Sequence, residues 1–224
     1  MSSSATPHVA VIGLGSMGYG MATSLRRAGF VVTGCDVSAD AVARFVGDGG
    51  KGAKTPAEAA RDADIVVSVV VNAAQTEAIL FGKDAAAETL AKDAVFISSA
   101  TMDPDIARRL AKQLEATGRH YLDAPISGGA QRAAQGELTI LASGSAAAFA
   151  KARPALDAMA AKLYELGDAA EVERPSHALL DTVDHRELGI ALHLRLEHTG
   201  VLQRDDRARR DGRHQPLVGL RDCL

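Results

Sequence analysis

Val9–Ala22 reads VAVIGLGSMGYGMA. It divides into an apolar, β-branched strand (Val9, Val11, Ile12), a glycine-rich turn, and a helix with apolar positions at Met17, Met21, Ala22, Leu25 and Ala28. Gly13, Gly15 and Gly18 are spaced G-x-G-x-x-G. In that pattern the first glycine permits a tight turn, and the second lets a pyrophosphate approach the backbone. The third lets the helix pack close to the strand, while the helix N-terminus offers free N–H groups to the anion. Glycine-rich turns are common, so the motif takes its meaning from context. A second strand, Val31–Asp36, ends in an acid at the distance expected of a ribose-binding carboxylate. The other reading of the same residues is a strand–turn–helix with no ligand.

Outward from there, strands and helices alternate. Ser38 reads as an N-cap, followed by an apolar stripe at Ala41, Val42 and Phe45 that Gly47, Gly49, Gly50 and Gly52 interrupt. Thr55-Pro56-Ala57-Glu58 is a second helix start, with a cap, a proline at the first position and an acid in the first turn. Asp64–Val71 is a continuous strand of the kind buried on both faces of a parallel sheet. A helix through Glu77, Ile79 and Leu80 and a strand over Ala94–Ser98 come next. Asp103-Pro104-Asp105 then opens a helix through Ile106, Leu110 and Leu114 that stops at Gly118. Tyr121–Ala124 and Leu138–Ala142 are short strands, Ala146–Ala161 a helix, and Lys162–Leu166 a last strand. This order predicts an α/β fold, a Rossmann-type, doubly wound, mostly parallel sheet. Ligands of such sheets lie beyond the strand C-termini at the switch point. That edge carries Gly13–Gly18, Asp36, Val71-Asn72, Ala100-Thr101 and Pro125–Gly129.

Asp36 at the end of the second strand suits the ribose hydroxyls of NAD. It would repel the 2′-phosphate of NADP, and no arginine follows immediately to neutralise it. The alternative is an acid that serves the next helix. Asp123–Gly129, DAPISGG, is a turn whose N–H groups, with Ser127, could take a carboxylate or hydroxyl near the nicotinamide; as a bare pattern it is also just a turn.

The totals narrow the classes. A formal charge of −3 gives no footprint for nucleic acid or an acidic membrane. Met1–Pro7 lacks the apolar region of a secretory signal, and the apolar stretch Ile65–Val71 is too short to span a bilayer. Cys35 and Cys223 therefore read as free thiols in a reducing cytoplasm. With 4% aromatic residues and no tryptophan, the core must be built from Ala, Val, Leu and Ile.

After Lys162 the composition changes. No lysine follows, basic residues are arginine only, and five of the seven histidines fall here: His177, His185, His193, His198 and His214. Arg204–Arg213, RDDRARRDGR, has little to bury and reads as disordered. The division expected is a nicotinamide-binding domain over 1–167 and an aberrant, partly disordered tail over 168–224. Asp181 and His185 stand four apart, but nothing else in the tail supports a metal site, and none is assigned.

Two separated signatures, GLGSMGYGMA and DAPISGGAQRAAQGELTILASG, occur in the right order and spacing to resemble the β-hydroxyacid dehydrogenase family. That group includes 3-hydroxyisobutyrate, tartronate semialdehyde and L-threonate dehydrogenases, and its cofactor domain is of the 6-phosphogluconate dehydrogenase type. The resemblance covers about Val9–Gly167. It implies NAD as cofactor, a small hydroxy acid as substrate and a homo-oligomeric parent. Gly13, Leu14, Gly15, Ser16, Met17 and Gly18 would hold the pyrophosphate and Asp36 the adenosine ribose. Val70, Val71 and Asn72 match the family's Leu-Pro-Asn loop, with Val71 in place of proline. Thr101 matches the threonine of a Ser-Thr pair, with Ala100 in place of serine. Ser127, Gly128 and Gly129 match the segment that binds the substrate's carboxylate and hydroxyl.

The resemblance also implies a long helix after the last strand, bearing a proton-carrying lysine with an asparagine four residues on, and then a helical domain. Neither residue is present beyond Lys162, and the remaining segment is short for that domain. No catalytic residue is therefore assigned. The expectation is a chain translated out of frame after about Ala170; a genuine short variant with its own tail is the alternative, with a histidine such as His177 or His185 as replacement base. A non-catalytic NAD-binding module or redox sensor, and an aggregating fragment, are further alternatives.

Overall fold

In the computed structural model the described residues are 7–167. The sequence-predicted tail, with its histidines and its expected disorder, lies outside them.

The first strand, β1 (His8–Ile12), leads through the glycine turn into α1 (Ser16–Arg27), and β2 (Val31–Cys35) pairs parallel to β1. Ser38 caps α2 (Ala39–Gly47) by accepting from the Ala41 amide, as its position predicts. The glycines that end α2 lead into a strand the sequence reading misses, β3 (Lys51–Ala53), which adds parallel to β2. With Gly49 and Gly50 just before it and Gly52 at its centre, no alternating pattern marks it. Thr55 caps α3 (Pro56–Ala60), with proline inside its start.

The chain then crosses to the other side of β1. β4 (Ile65–Ser68) pairs with β1, β5 (Val95–Ser98) with β4, and β6 (His120–Asp123) with β5, all parallel. α4 (Ala73–Phe81), the short α5 (Ala86–Thr89) and α6 (Pro104–Glu115) are the connections. β4 is shorter than the predicted Asp64–Val71. Val69 still donates to the Ile12 carbonyl at 2.8 Å, but the chain then turns out of the sheet and leaves Val71 82% exposed.

The last third is mixed. β7 (Ile126–Ser127) and α7 (Gly129–Gln135), neither predicted as elements, follow β6. β8 (Leu138–Gly144) runs antiparallel to both β6 and β7, while β9 (Ala160–Glu165) pairs parallel to β8 after α8 (Ala146–Met159). α8 ends two residues before its predicted Ala161, because β9 begins at once. The strand order is β3-β2-β1-β4-β5-β6-β8-β7, with β9 on β8.

Strand alternation splits the core into two layers. Val9, Val11, Ile65, Val67, Val95 and Ile97 face one side, with Met21 and Leu25 of α1 and Leu156 of α8. Ala10, Ile12, Val66, Phe96 and Tyr121 face the other, with Leu80, Leu110 and Leu114. Each fully buried leucine contributes about 1.5–3 kcal/mol of hydrophobic free energy. The reversal of chain direction about β1 puts the turns after β1 and β4 side by side, which is where such sheets take ligands.

Candidate cofactor site at the switch point

The three motif glycines are glycines for different reasons. Gly13 has φ +97°, and a Cβ there would stand 2.4 Å from the Val69 carbonyl oxygen. A Cβ on Gly18 would stand 1.8 Å from the Gly13 oxygen. Packing alone demands both. Gly15 is different: its φ is −64°, open to any residue, and an added Cβ would meet nothing within 4 Å. Nothing among the described residues explains the missing side chain at 15, and its absence keeps clear the space over the start of α1.

That helix start also has no side-chain cap, like those of the short α5 and α7. α2, α3, α4, α6 and α8 each receive a side-chain cap, from Ser38, Thr55, Asn72, Asp103 and Ser145. α1 has none, and no acid in its first turn. The amides of Ser16, Met17 and Gly18, at the head of the helix, lack intrahelical partners and form the positive end of its dipole. Glycine clearance and uncapped amides together suit a pyrophosphate.

Asp36, part-buried, binds the turn itself. One carboxylate oxygen accepts from the Leu14 amide at 2.6 Å and the other from the Ser38 amide at 2.8 Å. The reading of Asp36 as an acid that serves the next helix is thus met, since its carboxylate orders the entry to α2. Leu14 spends its amide on Asp36 and buries its side chain, so its place is inside the turn. Beside Asp36 stands Val37, fully exposed, a position the sequence reading passes over. Its signal was available: an apolar residue directly after a strand-end acid.

Val70 and Val71 follow β4, and Asn72 is the N-cap of α4, accepting from Gln75 N at 3.0 Å. Gln75 answers by accepting from the Val71 amide at 2.9 Å, a bond that a proline at 71 could not make. Thr101 lies between β5 and α6, flanked by the buried Ala100 and Met102. Below it, Ser68, Ser98 and Asp123 occupy one row across three neighbouring strands, with Tyr121 next along β6. The hydroxyls of Ser68, Ser98, Ser99 and Tyr121 are buried without a hydrogen-bond partner among the described residues. Burial pushes the Tyr121 phenol above its usual range, with the Asp123 carboxylate adding and the facing Ser98 hydroxyl opposing.

Ser127 lies on β7, opposite Thr139 of β8, and is exposed together with Gly128 and Gly129. Gly128 has φ +137° and Gly129 +78°, so this loop needs its glycines for conformation. Gly128 begins α7 without a side-chain cap. The structure therefore brings the predicted residues to the strand ends, except that Leu14 faces inward. Cys35 is buried, and burial, with Asp36 and Glu58 adding, raises its thiol to about 11, so it stays protonated near neutrality. Among the described residues no group of His, Cys, Asp and Glu could hold a metal, and no helix is long and apolar enough to cross a membrane.

Residues 8–167 match the model of the NAD binding domain of 6-phosphogluconate dehydrogenase. An L-threonate dehydrogenase of Cupriavidus necator is 47% identical over 162 residues, covering 72% of this chain and 54% of that protein. The chain belongs to the β-hydroxyacid dehydrogenase family. A 3-hydroxyisobutyrate dehydrogenase of Pseudomonas aeruginosa is 34% identical over 160 residues, 71% of this chain and 54% of its own length. The crystal structure of a 3-hydroxyisobutyrate dehydrogenase from Salmonella typhimurium superposes with a TM-score of 0.70 at 37% identity, covering 89% of this chain and 68% of that one. The chain spans about half the length of these sequence relatives. The nicotinamide cofactor and the Rossmann-type fold are thus those expected from the glycine turn. The family's lysine position falls beyond the described residues.

Proposed function

We propose that this chain is the cofactor-binding part of an NAD-dependent, cytoplasmic dehydrogenase of short 3-hydroxy acids, L-threonate or a 3-hydroxyisobutyrate-like compound. The observation that carries the reading is Gly15, a glycine for which the described residues have no packing use, at an uncapped helix start. Gly13, Gly15, Ser16, Met17 and Gly18 would hold the pyrophosphate, with Leu14 holding the turn to Asp36. Asp36 would accept from the adenosine ribose. Val37 and Val71, both exposed at the strand ends, would give apolar cover to the adenine, and Val70, Asn72 and Thr101 would line the path to the nicotinamide. When bound, NAD supplies the acceptor for the hydride of the substrate's alcohol carbon. Ser127, Gly128 and Gly129 would position the substrate's carboxylate and hydroxyl.

The alcohol proton needs a base. The family's lysine has no counterpart after Lys162, so turnover is expected to fall about 10²–10⁴-fold below that of an intact relative. In this reading residues 168–224 are an out-of-frame replacement of the helical domain that closes the site and forms the subunit contact. The missing lysine also favours a second reading, a non-catalytic NAD-binding module.

Titration of the full chain with NADH and NADPH, followed by L-threonate turnover before and after repair of the frame near the Ala170 codon, tests the proposal. Saturable NADH binding, weaker NADPH binding and activity only in the repaired chain are expected. A chain that binds neither nucleotide overturns the cofactor reading. If every other frame is nonsense, the tail is authentic, and L-threonate turnover then decides between a replacement base such as His177 or His185 and a non-catalytic binding module.

A further inference from the structure

α1 and α7 meet along one face of α1. Gly20, Ser24 and Arg27 are four and three residues apart and so share a side of that helix. A Cβ on Gly20 would stand 2.7 Å from the Ala134 nitrogen and 3.0 Å from the Ala133 carbonyl carbon, so the two backbones touch there. Gly136, the left-handed cap of α7 at φ +76°, has the Ala158 oxygen of α8 2.6 Å from where its own Cβ would be, and the Ser24 Cβ and an Arg27 guanidinium nitrogen each at 3.6 Å. Arg27 donates to the Ala134 oxygen at 2.8 Å and the Gln135 oxygen at 2.7 Å. These carbonyls close the last turn of α7, where intrahelical donors run out and a cation suits the dipole.

α7 has seven residues and no side-chain cap at its start. A helix so short does not hold itself in water. Its order comes from what it packs on, and α1 is the principal partner of its far end. α1 opens at the cofactor turn, and α7 opens at Ser127–Gly129.

We propose that Gly20 and Arg27 are positioning residues: they lock α7 onto α1 and so set the Ser127–Gly129 loop, and the small hydroxy acid it takes, against the cofactor turn. The substrate half of this statement rests on the reading of Ser127–Gly129 as the substrate loop. Arg27 touches neither ligand. Its two bonds reach the loop only through α7.

The test uses the full chain and its Arg27→Met, Arg27→Lys and Gly20→Ala variants. Hydrogen exchange reads the amides of residues 129–136, and calorimetry reads NADH affinity and then L-threonate affinity of the NADH-loaded chain. In Arg27→Met those amides should exchange about tenfold faster, as expected for losing two modest hydrogen bonds. NADH affinity should stay within about twofold while L-threonate binding weakens about tenfold, and Arg27→Lys should recover part of both losses. Gly20→Ala should show the same split, through displaced backbone instead of lost bonds. Unchanged exchange in Arg27→Met, or NADH affinity falling in step with L-threonate, overturns the lock. L-threonate binding by neither the wild-type nor the frame-repaired chain, each loaded with NADH, overturns the substrate reading of the loop, and the exchange result then decides the lock alone.

Discussion

At the scale of single residues, Gly13 and Gly15 look alike in sequence and differ in cause. Gly13→Ala must place a Cβ 2.4 Å from the Val69 oxygen at φ +97°. It should cost at least about 2 kcal/mol of folding stability, read by urea denaturation. Gly15→Ala meets no atom of the described residues. It should fold with unchanged stability and lose about tenfold or more in NADH affinity, because the methyl enters the space kept for the pyrophosphate. Equal loss of stability in the two variants would contradict this division. Asp36→Ala should lower NADH affinity more than NADPH affinity and also cost about 1–3 kcal/mol of stability, because the Leu14 and Ser38 amides lose their charged acceptor. Asp36→Asn keeps one acceptor oxygen, for Leu14 or for Ser38 but not both, and should retain only part of that stability. Wild-type binding of NADH and NADPH with equal strength would refute the ribose role.

Among elements, caps and continuous apolar runs were legible and weak edges were not. Ser38 and Thr55 read as caps and Asp103 as a helix start, and the structure adds Asn72 and Ser145, whereas β3 and β7 have three and two residues and borrow their pairing from neighbours. Tertiary contact, not local propensity, makes them. α7 escaped for the same reason. α6 shows what a legible element carries: Leu110 and Leu114 are fully buried, and Leu114→Ala should cost about 2–5 kcal/mol by thermal unfolding. Its outer face ties to α4 through a two-pronged bond from Arg109 to Glu77, at 2.8 and 2.9 Å. The Arg109 hydrogen bond holds the Glu77 carboxyl below its usual range, and Lys151 and then His120 do the same for Asp93. A carboxylate whose pKa falls on folding adds stability above its unfolded value, near ~4, and loses it as pH drops through the lowered folded value. Acid unfolding between about pH 5 and 2 should therefore be shallower in a Glu77→Gln, Asp93→Asn double variant, with little change of slope at pH 7. A slope unchanged on the acid side would remove these pairs from the account.

For the molecule as a whole, the order of motifs along the chain gave the sheet, and the strand-end rule gave the site's edge. What sequence could not supply was which motif glycine is structural, because that depends on Val69, fifty-six residues from Gly13 along the chain. Nor could it show that Leu14 turns its amide to Asp36. Ligand linkage gives a global check: NADH at about 100 times its dissociation constant should stabilise the fold by about 2.7 kcal/mol, and NADPH at the same concentration by less. No upward shift of the melting temperature with NADH would count against a formed site.

The wiring of β8 also governs how the chain comes off the ribosome. β8 alone joins β6, β7 and β9, so until Gly144 has been synthesised the outer edge of β6 has no neighbour and β7 has nothing to pair with. A nascent chain paused in α7 should present a bare parallel sheet edge and invite a holdase or strand-to-strand sticking. One released after β8 should no longer present the β6 edge.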